Sequence, residues 1–117
     1  IQTAIISDLN SQIQFRKIIF FGLEKYFDYV VTSEEAGFDK PSKAPFELAL
    51  KKLDLLPNEC WMIGDNLNAD ILGGKKCGLT TLYKYESKDE SKINNIIPDA
   101  SFDEYNKILS LIKKIGV

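Results

Sequence analysis

Histidine is absent from the 117 residues. That removes Ser-His-Asp and Cys-His nucleophile systems, histidine zinc sites and any imidazole general base. Cysteine is scarce. The two present, Cys60 and Cys77, sit in apolar segments. They are poor material for a disulfide framework and fit a reducing cytoplasm. No apolar run approaches the roughly 20 residues that a membrane helix needs. Neither sign of charge dominates: 15 basic against 17 acidic residues give a net −2. Non-specific nucleic-acid binding therefore has no basic field to rest on. What remains is an ordinary globular composition, 44% hydrophobic and 27% charged, enough for one domain. Any chemistry must run on carboxylates, lysine, serine or threonine, and backbone dipoles.

The chain alternates short apolar runs with helical patterns. Residues 2–7 (QTAIIS) read as a strand, rich in β-branched side chains. Residues 8–11 are turn-forming, Ile13, Ile18, Ile19 and Phe21 follow at loosely helical spacing, and Gly22 reads as a stop. Residues 29–32 (YVVT) are a second strand and 33–42 a loop. From Ala44, Phe46, Ala49, Leu50 and Leu53 recur at i, i+3, i+4 and i+7, with Ser42 or Lys43 preceding and Pro45 in the first turn. Residues 60–63 form a third strand, ended by Gly64-Asp65. Asn66 or Asn68 is placed to cap a short helix over 69–76, with Gly78 behind it. Residues 79–83 are a fourth strand, 84–95 a charged surface segment and 98–101 a short edge strand. Asp103 is placed to cap a final helix with Ile108, Leu111, Ile112 and Ile115 inward. Trp61, Phe20, Phe21, Tyr26 and Phe27 read as packing residues, and both cysteines as inert buried thiols.

Strands alternating with helices give a parallel sheet in an α/β layer structure. Ligands in such sheets bind outside the carboxyl ends of the strands. Three polar groups fall there: Ser7-Asp8, the loop holding Lys40, and Gly64-Asp65. Asp65 and Asp70, one at a strand end and one at a helix start, read either as helix caps or as oxygen ligands for a hard cation such as Mg²⁺. Lys40, held in an extended conformation before Pro41, reads as a solvated lysine or as a point charge for phosphate. Ser7-Asp8 reads as an Asx turn or as a phosphate-holding strand end.

Taken in order, small hydroxyl, Lys-Pro and Gly-Asp-x4-Asp, these motifs make the sequence resemble the haloacid dehalogenase-like hydrolase superfamily nearly end to end. AIISDLNSQIQFRKI is similar to that family's second motif. GLEKYFDYVVTSEEAGFDKPSKAPFELALKKL is similar to the stretch through its third motif, with Lys40 as the motif lysine. CWMIGDNLNADILGGKKCGLTTLY is similar to the fourth, and PDASFDEYNKIL to the final strand and helix. The resemblance implies a Rossmann-like, three-layer parallel sheet. It also implies Mg²⁺-dependent phosphomonoester hydrolysis through an aspartyl-phosphate. By position, Ser7 would hydrogen-bond the transferring group, with Asp8 beside it among the substrate-binding residues. Lys40 would neutralise phosphate and nucleophile. Asp65 would ligate the metal, and Asp70 would bind it or orient its water shell. Such a protein acts on a small phosphorylated metabolite.

The family's first motif, Asp-x-Asp, which supplies nucleophile and acid/base, has no counterpart. Asp8-Leu9-Asn10 is the nearest approach, but it occupies the second motif's place. Residues 1–117 are thus expected to be the C-terminal part of a core domain, inactive alone. The central first strand and the cap would come from upstream residues or from another chain completing the sheet. Alternative readings are an inactive module of the same fold that binds a phospho-ligand, a haloacid dehalogenase, and a receiver domain. The last would place its Asp pair first and its lysine late, opposite to the order found.

Overall fold

A computed structural model describes residues 1–8, 24–86, 95–108 and 110. Strand β1, Ala4–Ser7, pairs in parallel with β2, Tyr29–Thr32, in the register Ala4↔Tyr29 to Ser7↔Thr32. The entry to the pair is pinned by Asp28, whose carboxylate accepts the Thr3 amide at 2.8 Å. Both strands are short β-branched runs, as their composition dictates.

A single helical turn, α1 (Ser33–Ala36), leaves β2 directly. Thr32 caps it by accepting the Glu35 amide at 3.2 Å, and Gly37 closes it in the left-handed region. Helix α2, Lys43–Leu53, starts at Ser42, whose hydroxyl accepts the Ala44 amide. Its stripe buries Phe46 and Ala49. Near its end Lys52 reaches back to the Val30 carbonyl at 3.1 Å and pairs with Glu35 at 2.6 Å, which ties α1, α2 and β2 together.

Strand β3, Trp61–Gly64, is followed by a wide π turn, Leu67–Ile71, capped by Asn66, and then by α3, Leu72–Lys76. Gly78, at φ +80°, turns the chain into β4, Thr80–Lys84. Strands β3 and β4 run parallel, Trp61↔Thr80 to Gly64↔Tyr83, and β5, Ala100–Phe102, adds a third parallel strand. Asp99 fastens that strand: its carboxylate accepts the amide of buried Thr81 at 2.7 Å and its hydroxyl at 3.0 Å. Leu67, Ile71, Tyr83 and Ile96 form an apolar cluster beneath this half.

Among the described residues, β1–β2 and β3–β4–β5 are two separate sheets. Strand β1 is half-buried throughout and β3 holds no fully buried residue, whereas Thr81, Leu82 and Tyr83 of β4 are buried. Helix α2 packs on β1, on β2 and on α3, and so spans the split.

Several expectations need correction. The segment 33–42 is not all loop, because Thr32 and Glu35 nucleate α1. Lys40 lies in a turn, and the Lys40–Pro41 peptide is cis. Trp61, Cys60 and Cys77 are half-buried rather than core, and Tyr26 is exposed with the Lys25 ammonium 5.3 Å from its ring centroid. Asp103 does not cap the last helix. It pairs with Lys107 at 2.5 Å, while a 3-10 turn starts after Glu104. The helix expected from Gln12, its stop at Gly22, Phe20, Phe21, residues 87–94, and Leu111, Ile112 and Ile115 lie outside the described residues.

Candidate functional site

Lys40 is the point at which both halves of the fold meet. Its ammonium donates to the Ile6 carbonyl of β1 at 3.2 Å and to Asp70 Oδ1, in the π turn after β3, at 2.6 Å. Its amide donates to Asp8 Oδ1 at 3.1 Å. The Lys40 and Asp70 side chains are only 11% and 9% exposed, so their charges interact with little screening by water.

Asp70 is held from its other side as well. Its Oδ2 accepts the Asn66 amide at 3.2 Å. Its carboxylate lies directly against the Gly64 Cα, where any added Cβ would overlap it. Glycine at the end of β3 is therefore required by close approach. The wide π turn sets Asp70 back toward the strand end, and such turns often occur at functional sites.

Asp65, the residue after β3, is exposed at the same end. The register Gly64↔Tyr83 places it beside Lys84 at the end of β4. The Lys84 ammonium bonds to Glu86 at 2.7 Å and lies 5.9 Å from the Tyr105 ring centroid. The Glu86 hydrogen bond raises its pKa above the usual lysine range, with smaller contributions from Tyr105 and Asp65. Ser7 ends β1 opposite Thr32.

The expected residues thus collect at the carboxyl ends of β1 and β3, and the geometry joins Asp8, Lys40 and Asp70 by direct bonds. Sequence reasoning missed three contributors: Asn66 as donor to Asp70, Ser33 as donor to the Asp8 carbonyl at 3.0 Å, and Lys84 on the Asp65 side. The alternation of strand ends carried a signal for Lys84, the residue after LTTLY; nothing in the sequence marked the other two.

Asp65 and Asp70 supply oxygen ligands of the kind Mg²⁺ takes, and Mg²⁺ commonly uses one or two carboxylates with waters and phosphate oxygens. Among the described residues no group of three or more carboxylate or cysteine ligands gathers.

The profile of the haloacid dehalogenase-like hydrolases matches residues 1–78. A ribulose-1,5-bisphosphate 5-phosphatase of Halopiger xanaduensis is 41% identical over 91 residues, which are 78% of this chain and 38% of that protein. A glyceraldehyde 3-phosphate phosphatase of Methanothermobacter thermautotrophicus is 35% identical over 83 residues, 71% of this chain and 37% of that protein. The crystal structure of a HAD phosphatase from Thermococcus onnurineus superposes with a TM-score of 0.86 at 26% identity, covering 98% of this chain and 50% of that one. The chain therefore spans half or less of the length of these relatives. Its parallel α/β fold is the Rossmann-like one of such structures, and the chain belongs to the haloacid dehalogenase-like hydrolase family.

Proposed function

We propose that this chain supplies the phosphate-holding part of a Mg²⁺-dependent phosphomonoester phosphatase. The reaction proceeds through an aspartyl-phosphate on a carboxylate that a segment outside residues 1–117 contributes. The observation that carries this reading is the Lys40 ammonium, fixed between the Ile6 carbonyl and Asp70 at the rim of the split sheet. A dianionic phosphate approaching a carboxylate needs a fixed cation between the two, and preorganised charge is the main catalytic device in such transfers.

Each residue has a share. Lys40 neutralises the phosphoryl oxygens and the nucleophile. The Ser7 hydroxyl donates to the transferring group. Asp65 and Asp70 hold the cation side of the site, Asp65 directly and Asp70 through the water shell while it also fixes Lys40. Mg²⁺ would supply charge neutralisation of the phosphoryl oxygens.

The strand that carries the nucleophile fills the split between β1 and β3, supplied by an upstream segment or by a second chain. The half-burial of both bounding strands supports this, since unpaired strand edges and uncovered apolar faces invite pairing. Residues 1–117 are then the C-terminal part of a core domain, inactive alone, with the cap elsewhere. The substrate is a small phosphorylated metabolite, in line with the names of the relatives, and the thiol-poor composition suits a reducing cytoplasm.

The test is hydrolysis of p-nitrophenyl phosphate with Mg²⁺ by the chain joined to its completing segment. Turnover that collapses in Lys40→Ala and Asp65→Asn supports the assignment. Unchanged turnover in either variant removes that residue from it, and phosphate binding without turnover in the assembled protein favours the inactive-module reading.

A further inference from the structure

Asp8 is an awkward residue for the rim of a phosphate site, because its charge repels a dianion. The structure gives that carboxylate another partner. Oδ1 accepts the Lys40 amide at 3.1 Å, and the Asp8 carbonyl accepts the Ser33 hydroxyl at 3.0 Å. Three pieces of chain meet there: the end of β1, the first residue of α1, and the Lys40 turn. The Lys40 ammonium reaches the Ile6 carbonyl, two residues before Asp8. Lysine ordinarily carries a compact charge on a four-carbon, freely rotating stem. Here both ends of that stem are tied to the last turn of one strand.

We infer that Asp8 is a positioning residue: it fixes the backbone of Lys40 so that the ammonium is aimed before phosphate arrives, and it is not itself a ligand of the substrate. This rests on the reading of Lys40 as the phosphate cation. What Asp8 must supply is an acceptor, not a charge, so asparagine can replace it and alanine cannot.

The experiment compares Asp8→Asn and Asp8→Ala in the assembled protein, with p-nitrophenyl phosphate turnover and Lys40 amide hydrogen exchange by NMR as readouts. Asp8→Asn is expected to keep a protected Lys40 amide and to lose far less kcat than Asp8→Ala. Asp8→Ala is expected to lose on the order of 10- to 100-fold in kcat with KM little changed, the usual cost of a misplaced catalytic group, and to exchange Lys40 rapidly. Unchanged Lys40 exchange in Asp8→Ala overturns the inference. So does an Asp8→Asn variant as impaired as Asp8→Ala, or a loss confined to KM. If Lys40→Ala leaves turnover intact, the phosphatase reading falls, while the exchange measurement still decides whether Asp8 holds Lys40.

Discussion

Asp70 is constrained on every side: one oxygen meets an ammonium, the other an amide, and the carboxylate lies on a glycine. Removing one partner leaves a desolvated charge. Lys40→Ala is therefore expected to cost about 3–5 kcal/mol in denaturant unfolding, whereas Lys40→Met combined with Asp70→Leu should recover much of it. Gly64→Ala tests the contact from the other direction. Its methyl displaces the Asp70 carboxylate, and overpacking of this kind costs about 1–3 kcal/mol. Chemical-shift change at Asp70 and Asn66, with loss of phosphate turnover, would mark the displacement. Lys40 and the Asp65/Asp70 pair were legible because lysine before proline and paired aspartates after a glycine are local patterns. The bonds that tie Lys40 to Asp70 and to Asp8 are not, since they link positions 30 and 32 residues apart.

Among the elements, β2 and α2 followed from β-branched content and helical spacing, and of the two residues expected before the helix, Ser42 is the cap. Helix α1 was missed although its signal is present: Thr32 and Glu35 stand three apart, as in a capping box. The π turn at Leu67–Ile71 was not readable, because side-chain periodicity does not separate a wide turn from an ordinary one. Two elements allow sharp tests. Phe46, fully buried on α2, should cost about 3–5 kcal/mol when replaced by alanine. Strand β5 should respond to acid. The Thr81 amide and hydroxyl hold the Asp99 carboxyl below the usual carboxylate range. A depressed native pKa means the stabilisation is complete above the unfolded value and disappears as pH falls through the native one. Urea midpoints should therefore drop on the acid side, and Asp99→Asn should flatten that limb. Asp99→Ala, which leaves buried Thr81 donors unmet, should cost about 1–3 kcal/mol at neutral pH.

At the scale of the molecule, the resemblance to a family whose first motif is not found here leads to the expectation of one parallel sheet lacking its central strand, and the described strands form two separate sheets. What the sequence could not convey is how the halves stay in register without that strand. They do so through α2 and through Lys40, whose bonds cross from β1 to the turn after β3. With the proposed segment added, amides of β1 and β3 should gain hydrogen-exchange protection while those of β2 and β5 change little, and equal gains across all strands would speak against insertion at the split. The crossing lysine has a further consequence. The same ammonium that would greet a substrate also sutures two plates, so a bound anion that drew it away from Asp70 would loosen the seam as it docked. Occupancy of the site and stiffness of the scaffold are then opposed, and a ligand competing for Lys40 should register as motion between the plates even where no reaction follows.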